Sequence, residues 1–347
     1  GVTPFKPALQ IKRELGLTQL DRMGANENPL GPSPKAIAAM VAAAQEAQYY
    51  PDAGSWDLRR ELASRFNWPV EGIVVEAGIT GLLRVSVEAF CEPDAARVLY
   101  PWPSYANYPL TVLPLGATPV PVPGKGLEPD WDGIAREAQT AKLVWLCNPN
   151  NPTGLQYGNT EIRWLLERLP AGCLLMVDEA YHEYGDQASA IELLREGHSI
   201  VVMRTFAKAY GLAGLRVGYG LMPPAIADWF NRAREPFQVS SIAQAAALAA
   251  LDDQEHLDRS IQVVREGRAF IAAECAKLGV TAIPSASNFV LLHVGTDCRP
   301  LAGALLKQGI MVRATDDIFA LPGYLRVTVG TRAMNERFVA ALSSLLA

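Results

Sequence analysis

The stretch that most constrains the fold is VVMRTFAKAYGLAGLRVGYG at residues 201–220. An apolar run over 199–203 reads as a buried strand, and Thr205 and Lys208 follow at its end. Gly211, Gly214 and Gly218 then space a turn of small residues around Arg216. The pattern places a lysine at the carboxyl end of a strand. Apolar surroundings disfavour the ammonium and push a lysine toward its neutral amine, which can form a Schiff base with an aldehyde cofactor. The hydroxyl three residues before the lysine and the guanidinium eight after it can both grip one phosphate, Thr with one donor and Arg with a planar fork. Taken alone, this spacing does not exclude a solvated lysine on a turn, the commoner place for such a residue.

Similar apolar runs predict strands at 72–76, 97–101, 117–122, 142–147 and 173–177, alternating with helices at 34–46, 56–66, 82–90, 131–137 and 161–169. Beyond residue 220, helices at 224–232, 241–251 and 255–278 lead to short strands at 287–293, 310–313 and 325–329. These are interleaved with helices at 301–307 and 335–346, an α+β layout.

A chain of 347 residues that is 50% hydrophobic buries a large core and suits one large domain plus a smaller one. No apolar run approaches the roughly 18 to 20 residues that span a bilayer, and GVTPFKPALQ has no signal-like core, so a cytoplasmic location is expected. A net charge of -5 with both signs interspersed provides neither a basic stripe for nucleic acid nor a polybasic segment for anionic lipid. Small molecules are the expected partners. The five cysteines are scattered with no C-x-x-C pair and read as free thiols; His182-Glu183 does not continue into H-E-x-x-H, so no metal is expected.

Further segments carry chemistry. NENPLGPSP at 26–34 is a loop that can continue neither helix nor central strand. Ala77-Gly78-Ile79-Thr80-Gly81 lies between a strand and a helix, where unpaired N–H groups and the helix dipole favour an anion. NPNNPTG at 148–154 is a turn at a strand's carboxyl end, the edge at which open α/β sheets bind ligands. In DEAY at 178–181 a carboxylate just past a buried strand is costly unless it meets a cation.

With T-x-x-K-A-x-G-L-A-G-L-R-x-G-Y at 205–219, these segments resemble, over nearly the whole chain, the fold-type I pyridoxal-phosphate (PLP) aminotransferases, in particular the histidinol-phosphate aminotransferase branch. The resemblance implies an α/β fold of type I: a large PLP-binding domain at 30–254 with a mostly parallel central sheet, and a smaller α+β domain from 1–29 and 255–347. It implies that Lys208 carries pyridoxal 5'-phosphate and moves the substrate proton. Asp178 then pairs with the ring nitrogen, Asn151 and Tyr181 serve the phenolic oxygen, and Tyr105 stacks on the ring. Thr205, Arg216 and the backbone of Gly78, Ile79 and Thr80 hold the phosphate, joined by Tyr50 of a second subunit in a homodimer with shared active sites. Arg326 matches the substrate-anion arginine, and Asn28 lies in the loop along the active-site mouth as a substrate contact. Trp102 and Tyr108 read as packing residues, and Glu179 and Glu183 as solvated turn carboxylates.

Three features depart from the family pattern: Ala207 replaces a usual Ser, Ile79 and Thr80 replace an acidic pair, and the segment 3–15 is short. The implied reaction moves an amino group from an amine donor, first histidinol phosphate, to a 2-oxo acid. An aromatic or other amino acid as donor, or a phospho-amino-acid decarboxylase on the same scaffold, are the alternatives. A PLP-binding regulator would need a DNA-binding module, and none is evident; a dehydrogenase would need G-x-G-x-x-G after a strand.

Overall fold

The apolar runs pair side by side in one seven-stranded sheet in a computed structural model that describes residues 6–346. The part of the amino-terminal expectations that falls on residues 1–5 lies outside the described residues. Across the sheet the strands are Ile73–Glu76, Gly218–Leu221, Ile200–Thr205, Leu174–Asp178, Leu143–Cys147, Arg97–Trp102 and Thr118–Pro123. The last five pair in parallel, and Gly218–Leu221 is antiparallel to both of its neighbours. Every residue of the three central strands is buried, as expected for parallel strands covered on both faces. Alternate side chains serve opposite faces: Leu146, Val177 and Val202 join one apolar cluster, and Trp145, Met176 and Val201 join another.

Elements around this sheet differ from the sequence-based expectation. The turn expected at residues 211–220 contains a strand, Gly218–Leu221. A Cβ at Gly218 would lie 2.8 Å from the Arg204 carbonyl oxygen and 3.1 Å from Gly78 Cα, so this glycine allows close approach rather than a turn. The helix expected from residue 82 starts at Gly78, directly after its strand and one linking residue.

The carboxyl-terminal part forms a four-stranded antiparallel sheet in the order Arg313–Ala314, Tyr324–Thr328, Phe289–His293, Thr281–Ile283. Its core holds Ile271, Val290, Leu292, Leu325 and Phe338, drawn from these strands, the 24-residue helix Gln254–Lys277 and the helix Arg332–Leu346. The single strand expected at 310–313 is two: Ile310–Met311 pairs in parallel with Asp21–Arg22, while Arg313–Ala314 belongs to the four-stranded sheet. Among the described residues no helix is long and apolar enough to cross a membrane, and no group of three or more His, Cys, Asp or Glu could hold a metal ion.

Candidate active site

Cys147, Asp178 and Thr205 are the last residues of three adjacent parallel strands, so parallel pairing sets their side chains at one edge of the sheet. A cavity opens there. Of the sequence-predicted residues, Lys208, Asp178, Tyr181, Asn151, Tyr105, Thr205, Arg216, Ile79 and Thr80 line it. Gly78 lies at its edge with φ +74°, where a Cβ would come 2.9 Å from Arg216 Nη2. Only a glycine leaves the guanidinium that place beside the amino end of the helix Gly78–Phe90.

The Lys208 amine donates to the Asn26 carbonyl at 3.1 Å. Burial, and then the Arg326 charge, push its pKa down to about 8. Asp178 Oδ1 accepts from the Ala180 N–H at 3.1 Å, and Oδ2 accepts from the Tyr108 hydroxyl at 3.2 Å. Burial lifts this carboxyl to about 6, and the two donors pull against that rise. The Tyr181 hydroxyl accepts from Asn26 Nδ2 at 3.0 Å and Asn151 Nδ2 at 3.4 Å, while burial pushes the phenol up. Thr205 Oγ1 accepts from the Ala207 N–H at 3.0 Å, and Arg216 Nη1 donates to the Ala213 carbonyl at 3.0 Å. The Tyr105 ring stands edge-on to Tyr108 with centroids 5.4 Å apart. Below the helix start, Glu76 is only 1% exposed, and its Oε2 accepts from the Ala77 N–H at 3.1 Å.

A second, larger cleft adjoins the first and shares Tyr105, Asn151, Tyr181 and Lys208 with it. Arg326 and Arg313 reach it from directly opposite positions on neighbouring strands of the four-stranded sheet, which places both on one face. Arg326 Nη2 donates to the Gly24 carbonyl at 2.7 Å and Nη1 to Asn151 Oδ1. Its Nε is buried without an acceptor among the described residues.

Two sequence-predicted residues are not brought in. Asn28 spends its whole amide on the scaffold: Nδ2 donates to the Ala209 carbonyl at 2.8 Å and Ser260 Oγ at 3.0 Å, and Oδ1 accepts from the Leu30 N–H at 2.9 Å. The residue of that loop which enters the site is Asn26. Tyr50 is 85% exposed against the Phe237 ring, outside the cavity of its own chain. Tyr108, expected as packing, also donates to Asp178. Glu179, expected in solvent, is 2% exposed and paired with Arg204 through Nη2 at 2.9 Å and Nε at 3.0 Å. It also accepts from Ser189 Oγ and the Ala190 N–H. Glu183 is half-buried, and burial raises its pKa to about 7. The signal available for Glu179 was Arg204, a cation inside an apolar strand that needs an anion beside it.

A lysine and a carboxylate meet at the carboxyl edge of a mostly parallel sheet, beside the start of a helix and faced by arginines from a second sheet, an arrangement of the kind found in enzyme sites. Residues 19–342 match the family model for aminotransferase class I and II, and the chain belongs to that family. It is 42% identical over 345 residues to the histidinol-phosphate aminotransferase of Symbiobacterium thermophilum, covering 99% of this chain and 95% of that protein. It is 36% identical to the histidinol-phosphate aminotransferase of Moorella thermoacetica, covering 99% and 90%. Among solved structures, histidinol-phosphate aminotransferase from Sinorhizobium meliloti in complex with pyridoxal-5'-phosphate matches with a TM-score of 0.91 at 31% identity, over 99% of this chain and 95% of that one. The fold is that of the type I PLP-dependent aminotransferases.

Proposed function

We propose that the protein moves an amino group from histidinol phosphate to a 2-oxo acid, with pyridoxal 5'-phosphate held in the cavity at the strand ends. The observation that carries this reading is the meeting in one cavity of the Lys208 amine, lowered to about 8, with the buried Asp178 carboxylate. The residues fit the cofactor. Asp178 is hydrogen-bonded by neutral donors and is a match for a ring cation, and the space that a Cβ at Gly78 would fill is kept clear beside Arg216. When bound, the cofactor supplies an aldehyde and an electron-withdrawing ring.

Arg216, Thr205 and the N–H groups of Gly78, Ile79 and Thr80 hold the phosphate, where the helix end favours an anion. With the cofactor bound, Asp178 would pair with the ring nitrogen, Asn151 and Tyr181 would serve the ring oxygen, and Tyr105 would cover the ring and keep water off it. With a pKa of about 8, Lys208 Nζ is poised near neutrality. Once the cofactor is bound, this amine would serve as the base and acid that moves the proton at the carbon bearing the donor's amino group. Arg326 and Arg313 offer the donor's anionic end a pair of guanidinium groups on one face. Histidinol phosphate has a phosphate and no carboxylate, and relatives 42% and 36% identical carry its name.

On this reading residues 30–254 form the cofactor-holding domain, and 1–29 with 255–347 the domain that brings the arginines. A cytoplasmic homodimer completes it, in which the exposed Tyr50 serves the partner's phosphate site. The test is kcat/KM for histidinol phosphate, histidinol and phenylalanine with a 2-oxo acid acceptor, alongside a carbon dioxide assay with phosphorylated amino acids. Preference for histidinol phosphate is expected. Preference for histidinol or phenylalanine overturns the donor, and carbon dioxide release without amino transfer overturns the reaction.

A further inference from the structure

Hydrogen positions around Tyr181 follow from groups that have no choice of role. The Asn26 N–H donates to Thr328 Oγ1 at 2.9 Å, so the Thr328 hydroxyl turns its own proton elsewhere, and Asn26 Oδ1 lies 3.1 Å away to accept it. With its oxygen committed to Thr328, the Asn26 side chain presents Nδ2, a donor only, to the Tyr181 hydroxyl. On the other side Arg326 has only donors, so Asn151 turns Oδ1 toward it and presents Nδ2 to the same hydroxyl. The Tyr181 oxygen thus receives two N–H groups. Its proton is left to point away from both, into the cavity that Tyr181 lines.

The arrangement is enclosed and braced. Asn26 is 2% exposed, so water does not compete for its amide. Its backbone sits at φ 57°, a left-handed conformation that Asn tolerates, and its carbonyl receives both Lys208 Nζ and, at 3.0 Å, Asn288 Nδ2.

We propose that Asn26 and Thr328 are positioning residues that fix Tyr181 as a hydrogen-bond donor to the cofactor's ring oxygen. The inference rests on reading the cavity as a PLP site. A donor there draws off negative charge that otherwise holds a proton on the neighbouring nitrogen, so it lowers the pH at which the bound cofactor's visible absorbance titrates.

The experiment is an absorbance–pH titration of the substrate-free holoenzyme for wild type, Tyr181→Phe, Asn26→Gly, Thr328→Val and the double variant Asn26→Gly/Tyr181→Phe. Glycine accepts the left-handed backbone and removes only the amide; valine keeps the shape of Thr328 and removes its hydroxyl. Loss of the Tyr181 donor is expected to raise the midpoint by about one to two pH units, and each single change at Asn26 or Thr328 by about a third of that or more. The double variant should titrate with Tyr181→Phe. A purely structural role would lower the melting temperature and leave the midpoint in place. Wild-type midpoints in Asn26→Gly and Thr328→Val overturn the proposal. So does a double variant that adds a full second shift, or a Tyr181→Phe midpoint equal to wild type. Should Asn26→Gly fail to fold, Thr328→Val decides alone. A wild-type protein that retains no visible cofactor sinks the parent reading instead, a distinct result.

Discussion

Lys208 is held in a place that suits an amine better than an ammonium, and that has a measurable stability signature. Its folded pKa, about 8, lies below the ordinary lysine value, so between pH 8 and 10.5 the unfolded chain binds more protons than the folded one. The penalty is complete below pH 8 and disappears as pH rises through the ordinary value. Cofactor-free Lys208→Met should therefore be more stable than wild type by about 1 to 3 kcal/mol at pH 7, with the difference closing by pH 10.5. Equal differences at both pH values in denaturant titrations would reject the buried-amine account. Asp178 shows the opposite sensitivity. Its carboxyl protonates as pH falls through about 6, so cofactor capture should weaken there. In Tyr108→Phe the carboxylate loses a donor, and the acid limb of PLP binding should move upward by about 0.4 to 1 pH unit. An unmoved limb would return Tyr108 to a packing role. Glu179 sits beside Asp178 in sequence yet does different work. Glu179→Ala strands the buried Arg204 charge and should cost about 3 to 5 kcal/mol of stability, whereas Asp178→Ala should spare the fold and weaken the cofactor's hold. Similar melting temperatures for the two variants would contradict this division.

The helix Gly78–Phe90 shows what an element contributes beyond its residues: it starts where the outermost strand of its edge ends, and its first residue lies beside the Arg216 guanidinium. Gly78→Ala strains a left-handed backbone and crowds the guanidinium, and should weaken PLP binding by roughly tenfold or more. Pyridoxal, which lacks the phosphate, should bind the variant as it binds wild type; an equal loss for both ligands would place the damage outside the cup. The central strands were legible because burial on both faces writes them as unbroken apolar runs such as 174–177. Gly218–Leu221 was not, because its glycines, needed for close packing, read as a turn. Motifs brought Lys208, Asp178, Asn151 and Arg216 to attention, since their chemistry is local to a strand end. Asn26 and Tyr108 escaped because their importance lies in partners far along the chain, Thr328 at a separation of 302 residues and Asp178 at 70. Asn28 and Asn26 lie in one motif, and nothing in the spacing distinguishes an amide spent on the scaffold from one turned to the cavity.

At the scale of the molecule, two sheets meet over Lys208, and a second copy of the chain is proposed to complete the phosphate site through Tyr50. Mixing Tyr50→Phe with Lys208→Ala subunits should restore activity above either parent, because one site of each heterodimer then lacks both defects. Subunit exchange verified by mass, with no gain in activity, would keep Tyr50 out of the partner's site. The pairing of Asp21–Arg22 with Ile310–Met311 and of Asn26 with Thr328 also bears on the order in which the protein becomes competent during synthesis. All seven strands of the central sheet have left the ribosome once Leu221 has emerged, and that part can begin to form early. The loop that receives the lysine's amine waits for a strand made much later, since Thr328 follows Asn26 by 302 residues. A product that terminates before Tyr324 lacks Arg326 and Thr328 and leaves that loop without its partner, so the catalytic centre is complete only after the strand Tyr324–Thr328 has been made.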